Sequence, residues 1–518
     1  MEGLVIKIAM LVVFFGVMIG VGVYCRKKST DVDGFVLGGR SVGPWLTAFA
    51  YGTSYFSAVV FVGYAGQFGW KYGVAATWAG IGNAFLGSML AWFVLGRRTR
   101  IMSQHMNSAT MPQFFEQRYN SKKLKLAASA VIFIFLIPYT ASLYNGLSRL
   151  FGMAFDIPYA TCVVAMAVLT AVYVIVGGYM ATAINDFIQG IIMIFGILAV
   201  IVAVLKTQGG LLEAMESLSQ ISDTQSGAEA GSFSSLFGPD PMGLLGVVLL
   251  TSLGTWGLPQ MVQKFYAIKN EKAINKGMVI STVFALIVAG GCYFLGGFGR
   301  LFTTPEAVKA EGFDSIIPTM LRDLSPILIA VVVILVLSAS MSTLSSLVLA
   351  SSSTLTLDFI KGSVVKDLSE KKQILLMRIL IAVFIAISVA IAIVQYHSNV
   401  TFIAQLMGVS WGALAGAFLA PFLFGLYWKR ATALSVWASM IFSSVVMVSN
   451  IFWGKYFPEI IRSPINAGAF CMLAGLIIVP VVSLLSKPPK KEYVEQVFAC
   501  YDKKVAAPVK STAEEDKK

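Results

Sequence analysis

The chain has 518 residues, of which 57% are hydrophobic and only 13% charged, a balance that excludes a soluble globular domain and describes a polytopic membrane protein. Its 39 Lys and Arg against 26 Asp and Glu give a formal net charge of +13. The basic residues are spread over short loops between apolar runs rather than gathered in a patch, which excludes nucleic acid as a partner and makes their placement topological.

Apolar runs of about 20 residues, the length that crosses a bilayer, predict thirteen spans. They lie near 3–25, 44–70, 74–97, 124–151, 158–179, 185–206, 241–266, 275–302, 326–357, 374–395, 400–427, 432–453 and 466–486. The first has no basic region before it and no small-residue cleavage site after it, so it reads as a retained helix. Arg26-Lys27-Lys28, Arg97-Arg98, Lys122-Lys123, Lys371-Lys372 and Lys429-Arg430 fall on one side if the N-terminus is outside, and that side is then the cytoplasm. The loop from Thr207 to Asp240, on the other side, holds several Asp and Glu and no Lys or Arg. An odd number of spans puts the C-terminus inside, where 487–518, rich in Lys, Pro and Glu, reads as a disordered cytoplasmic tail. Cys25, Cys162, Cys292, Cys471 and Cys500 contain no CxxC pair, so neither a disulfide framework nor a metal site is expected.

With 1–25 as a leading helix, the next ten spans form two sets of five, 44–206 and 241–427, followed by two trailing helices over 432–486. A repeat unit with an odd number of spans must cross the membrane in opposite senses, the inverted repeat of many secondary transporters. The first span of each set is interrupted, by Gly52-Thr53-Ser54-Tyr55-Phe56-Ser57 and by Gly254-Thr255-Trp256-Gly257-Leu258-Pro259. Irregular backbone at membrane depth is tolerated only where it is buried or lines a cavity. Two breaks at matching positions therefore mark a binding site, although each also fits a packing kink.

Between Pro326 and Leu357 the chain carries no charge but many hydroxyls. Ser342, Ser345 and Ser346 stand at i, i+3 and i+4 with Thr343 beside them, so one helix face is all oxygen. Hydroxyls and freed carbonyls suit a small hard cation such as sodium, because they replace its water without holding it irreversibly. Any one of these serines also fits a bond to its own i−4 carbonyl. Asp186 opens the sixth span, where it fits either an acid at a helix N-terminus or a group on a cation's path. The spans are read as holding no nucleophile and base pair, metal cluster or charged dyad, which argues against an enzyme.

Leu37-Gly38-Gly39-Arg40-Ser41-Val42-Gly43-Pro44, Gly177-Gly178-Tyr179 with Ala181, Asp186 and Gln189, and Met341-Ser342-Thr343-Leu344-Ser345 together resemble motifs of the sodium/solute symporter family, over nearly the whole chain. The resemblance implies an all-α polytopic fold of thirteen transmembrane helices with an inverted five-plus-five core and two broken helices. It implies a sodium ion held by backbone oxygens of Thr53, Phe56 and Ala339 and side chains of Ser342 and Thr343. It also admits a second sodium at Asp186, Ser345 and Ser346, with Ser342 shared. The solute pocket departs from several branches. Tyr55, Val59 and Val60 stand where the sugar branch carries hydroxyl-binding polar residues, Tyr55 stands at the proline branch's Asp, and Thr251 and Thr255 replace that branch's Trp and Tyr. No Arg lies near Ile137, as the sialic acid branch would require. The pantothenate branch is the most similar locally, at Thr53 to Ser57 and at Gly257-Leu258-Pro259-Gln260.

The expected function is sodium-coupled import of a small organic solute, a carboxylate or amino acid that is pantothenate-like or proline-like, across the plasma membrane by alternating access. Tyr55, Ser57, Tyr139, Thr255, Trp256 and Pro259 are the expected cavity wall, with no basic side chain in it. Two alternatives remain: a membrane sensor using the same core, against which the short tail argues, and a proton-coupled carrier. The oligomeric state is left open.

Overall fold

The computed structural model describes residues 2–502 except 29, 156–157, 225–226, 362–363, 366–367 and 399–402. Among them, ten helices are long and apolar enough to cross a membrane, or eleven if one bent pair counts as a single span. The helices of the chain include, in order, α1 (Glu2–Cys25), α2 (Pro44–Thr53), α3 (Ala65–Tyr72), α4 (Lys122–Phe155), α5 (Tyr159–Thr207), α6 (Pro241–Gly257) and α7 (Pro259–Ala267). They continue as α8 (Glu271–Gly296), α9 (Pro326–Thr354), α10 (Glu370–Ser398), α11 (Ile403–Tyr427), α12 (Ala433–Trp453), α13 (Pro464–Leu485) and α14 (Lys491–Phe498).

Both expected breaks are present. The first lies between Thr53 and Ala58, after which a π-helical turn, Val59–Tyr64, leads into α3. At the second, α6 and α7 meet at 49° about Leu258, whose φ of −81° and ψ of 126° are extended. A residue before proline is pushed out of the helical region, and Pro259 then starts a new helix, whose first turn needs no N–H from it.

The two broken helices run in opposite senses. Val42 and Ile268 form a parallel bridge in which Val42 N–H donates to Ala267 O and Lys269 N–H to Val42 O, each at 3.1 Å, so the start of α2 is tied to the end of α7. Arg100 reinforces this end, donating from Nε to Ile268 O at 2.5 Å. At the other end a Cβ on Gly238 would lie 2.7 Å from Tyr72 O, so the end of α3 lies beside the approach to α6.

Between the spans expected at 44–70 and 74–97, and between those expected at 158–179 and 185–206, no loop intervenes: helical residues follow one another over Val59–His105 (47 residues) and over Tyr159–Thr207 (49 residues). At 1.5 Å per residue each is roughly 70 Å long, more than twice the bilayer core, so neither is one straight crossing. The chain turns back at a single glycine in each: Gly73 (φ 61°, ψ −145°) and Gly178 (φ 58°, ψ −155°). Only glycine adopts that backbone without strain. Along α8, Gly52 meets Phe284 and Gly69 meets Gly296; past Gly73, Gly80 meets Gly290 and Ser88 bonds Ser281, in the reverse order. Along α1, Ala154 accepts from Lys7 and Tyr173 meets Gly22; past Gly178, Asn185 reaches back to Met18. Both reversals fall at expected span boundaries: Gly73 lies between the spans expected at 44–70 and 74–97, and Gly178 is one residue before the end of the span expected at 158–179.

The expectation of disorder from 487 onward is corrected for its first part. α14 buries Val494, Val497 and Phe498, spaced i, i+3 and i+4 on one face. Arg118 lies 4.9 Å from the Phe498 ring, and Tyr501 donates to Leu426 O at 2.8 Å. Residues 503–518 of the expected tail lie outside the described residues.

Close helix contacts depend on missing side chains. A Cβ on Gly69 would lie 2.0 Å from Gly296 O, whereas one on Gly152 would meet nothing within 4 Å. Gly69→Leu should cost about 1–3 kcal/mol by overpacking and lower the melting temperature of the purified protein, while Gly152→Ala should leave it unchanged or slightly raised.

Candidate functional site

α9 begins at Pro326, after Ser325, and from Val332 to Thr354 every side chain is buried, so its hydroxyls face protein rather than lipid. The break between α2 and α3 passes directly across this hydroxyl face. Ser342 Oγ lies 3.2 Å from Thr53 O and 3.0 Å from Ala339 O. Thr343 Oγ1 lies 3.0 Å from Thr53 O, 3.1 Å from Phe56 O and 3.1 Å from Ala339 O. Five oxygens thus converge, and between them the two hydroxyls supply only two protons. A buried cluster rich in lone pairs and poor in protons is chemically a site for a hard cation. All five residues that the resemblance assigns to sodium are among them. Ala58 N–H, also released by the break, donates to Ser340 Oγ on the same helix at 3.3 Å.

The residues expected at a second ion are also near one another, but they are not alone. Asp186, on α5 just past the Gly178 turn, is fully buried, and neither carboxylate oxygen has a hydrogen bond. Lys264 Nζ from α7 lies 4.0 Å from Asp186 Oδ2 and donates to Ser346 Oγ at 3.0 Å. Ser346 Oγ in turn lies 2.9 Å from Ser54 Oγ at the first break, and Ser345 Oγ donates to Ser342 O at 2.9 Å. The expectation that no charged dyad lies within the spans is therefore corrected. Lys264 closes a predicted span, where a lysine resembles an anchor at the membrane surface; the bend at Leu258 instead carries α7 against α9. It is the one charged residue between Pro241 and Ala267. A charge inside a span is a functional signal by default, and that signal was available in the sequence.

Of the expected cavity wall, Tyr55, Ser57 and Tyr139 are buried at the break, and the Tyr55 and Tyr139 hydroxyls have no hydrogen-bond partner. Tyr139 packs edge-on to Trp411 of α11, with ring centroids 6.0 Å apart. Trp411, absent from the sequence-based set, is 1% exposed and its indole N–H is unpartnered. It lies against the second break, since a Cβ on Gly254 would come within 2.7 Å of its ring. Thr255 and Trp256 direct their polar atoms elsewhere: Thr255 Oγ1 donates to Gly87 O and Trp256 Nε1 to Leu86 O, each at 2.9 Å. Pro259 is buried at the head of α7.

A membrane-embedded helical carrier is thus defined, with two oppositely directed broken helices and an uncharged oxygen site where one of them crosses a serine-rich helix. The model of the Sodium:solute symporter family matches residues 35–443, and the chain belongs to that family. The sodium/proline symporter of Staphylococcus aureus (strain JH9) is 29% identical over 494 residues, covering 93% of this chain and 92% of that protein. Its namesake in strain NCTC 8325 / PS 47 matches to the same extent. A solved sodium-coupled sialic acid symporter in a substrate-bound outward-open state shares the fold, with a TM-score of 0.73 at 18% identity over 94% of this chain and 99% of that one. The family and these relatives are transporters, not enzymes, and the chain is a multi-pass membrane protein whose family couples solute movement to sodium.

Thr343→Val keeps the shape but removes the hydroxyl from three buried carbonyls. In sodium-free buffer it should lower unfolding stability by about 1–2 kcal/mol, while Thr343→Ser, which keeps the hydroxyl, should recover most of it; chemical denaturation in detergent reads both.

Proposed function

We propose that this protein is a sodium-coupled symporter that imports a small organic acid or amino acid bearing a carboxylate, with sodium bound by the Thr53, Phe56 and Ala339 carbonyls and the Ser342 and Thr343 hydroxyls. The observation that carries the reading is the surplus of oxygens over protons at that point. The ion would join the break after α2 to α9 and so favour the one conformation in which both are aligned. Coupling is then a difference in sodium and solute affinity between outward-facing and inward-facing states. All five residues of the site are buried in the conformation described here.

The carboxylate is favoured by the groups left over at the break. An indole N–H can only donate, and the phenols of Tyr55 and Tyr139 are free to donate, so Trp411, Tyr55 and Tyr139 together seek an acceptor. The wall of the pocket would be Tyr55, Ser57, Tyr139 and Trp411, with Pro259 at the head of α7 and Thr255 and Trp256 holding the second break against the third span. A proline-like or a pantothenate-like solute fits this description, and the name of the 29%-identical staphylococcal relatives favours the former. The reversals at Gly73 and Gly178 support thirteen crossings arranged as an inverted five-plus-five core, with 1–25 leading and 432–486 trailing. The basic loops support a plasma-membrane orientation with the N-terminus outside and the tail in the cytoplasm.

Reconstituted vesicles test the reading. Ser342→Ala with Thr343→Ala should lower sodium-driven uptake at least ~10-fold, the loss of roughly 1.4 kcal/mol of ion binding; wild-type sodium dependence in that variant would refute the assignment. Tyr139→Phe should raise the KM for solute about 5–10-fold, one hydrogen bond's worth, at unchanged sodium affinity. The solute itself is found by thermal shift against proline, other amino acids, pantothenate and short monocarboxylates in sodium and in potassium chloride. A shift that ignores sodium would favour the proton-coupled alternative, and sodium-dependent binding without uptake would favour a sensor.

A further inference from the structure

We propose that the ammonium of Lys264 is a tethered cation that holds the place the family resemblance gives to a second sodium, so that each chain binds a single sodium ion. The proposal rests on the sodium reading above, and it concerns the neighbouring group of residues rather than the Thr53 and Thr343 site itself.

The geometry is that of an occupied cation position. Lys264 Nζ is within 3.0 Å of Ser346 Oγ and 4.0 Å of Asp186 Oδ2, and it lies 5.1 Å from the centroid of the Tyr179 ring, whose face attracts a cation. Asp186 and Ser346 are two of the three residues expected to be added at a second sodium. The third, Ser345, turns its hydroxyl to Ser342 O. The groups flanking Asp186 cannot replace the ammonium: Asn185 Nδ2 donates to Met18 O at 3.3 Å and Gln189 Nε2 to Met18 Sδ at 3.3 Å, which points both donor ends toward α1. Both carboxylate oxygens of Asp186 lack a hydrogen bond, so its counter-charge among the described residues is the ammonium alone. A buried carboxylate that stays ionised needs a compensating charge, and a second cation within the same few ångströms of the ammonium meets strong repulsion in a low-dielectric interior. Lysine and a second sodium are therefore alternatives at this position.

A tethered cation differs from an ion in that it cannot leave. With Lys264 in place, Asp186 stays compensated in every state of the cycle, including the return of the empty carrier, when a sodium-dependent partner would already have been released inside. Solute accumulation would then follow the first power of the sodium ratio across the membrane, and each turnover would draw one sodium ion down its gradient.

Equilibrium binding of radioactive sodium to the purified full-length protein decides the matter. The wild type should bind one ion per chain with a Hill coefficient of about 1. Lys264→Gln, which removes the charge and keeps a polar side chain, should vacate the position and raise the stoichiometry to two, and adding Asp186→Asn to it should return the count to one. Two ions on the wild type, or one ion on a Lys264→Gln protein that still elutes as a single species and keeps its first site, would overturn the proposal. Should Lys264→Gln not fold, Asp186→Asn alone carries the test: a count that stays at one supports the lysine, and a count that falls from two to one refutes it. A wild type that binds no sodium removes the sodium reading together with this proposal, an outcome distinct from finding two ions.

Discussion

Everything at the centre of this protein answers to one constraint: the broken backbone between Thr53 and Ala58 lies at membrane depth, and its freed polar groups must be satisfied there. In hydrocarbon an unpaired carbonyl costs several kcal/mol. α9 supplies the answer with Ser342 and Thr343, whose hydroxyls reach Thr53 O and Phe56 O. That solution is incomplete by design of its chemistry, because two protons cannot serve all the lone pairs that converge. On the proposed reading a cation would complete it, and would do so only while the break and α9 stay in register. The cost of breaking the helix thus becomes a sensor of relative helix position.

The opposed directions of the two broken helices make this a cross-braced arrangement rather than a single hinge. The Val42 bridge to Ile268 and the Arg100 bond to Ile268 O pin the start of α2 to the end of α7. α7 is also the helix that delivers Lys264 to Ser346, and Ser346 meets Ser54 at the first break. The two broken helices are therefore linked twice, once where the start of α2 meets the end of α7 and once through serines beside the proposed ion site. A movement of one relative to α9 must disturb the other.

Much of this was legible in the sequence, for identifiable reasons. Gly, Pro and Ser inside apolar runs betray a broken span, and hydroxyls at helical spacing betray a shared face, because both signals are local. The five oxygens of the ion site needed one step more: their juxtaposition joins α2 to a helix far along the chain, and the family resemblance provided it. Asp186 is singled out by the sequence, but its pairing with Lys264 is not, because Lys264, read in its own span, looks like an end-of-helix residue near the interface; only the bend at Leu258 and the turn at Gly178 bring the two together. Thr255 and Trp256 were placed correctly at the second break but not in their bonding, since nothing local in the sequence indicates that the Leu86 and Gly87 carbonyls, in a π-helical stretch, would be free to accept. The docking of α14 is written only in a three-residue apolar face, a signal too short to separate from noise, whereas the reversals at Gly73 and Gly178 fall where the apolar runs were expected to divide.

The charges of the core divide into two kinds. The Thr53 and Thr343 site is neutral, so on the proposed reading it would bind an ion through dipoles that rearrange easily and release it easily. The Asp186 and Lys264 pair is charged, buried and bonded to α9 through Ser346. Breaking such a pair is costly because it leaves one charge without its partner. A carrier needs both properties at once: a site that fills and empties within each cycle, and helices that keep their pairing while they tilt. The neutral site and the serine that the pair bonds stand on adjacent turns of α9, so on the proposed reading sodium would bias the conformation without being needed to hold the core together.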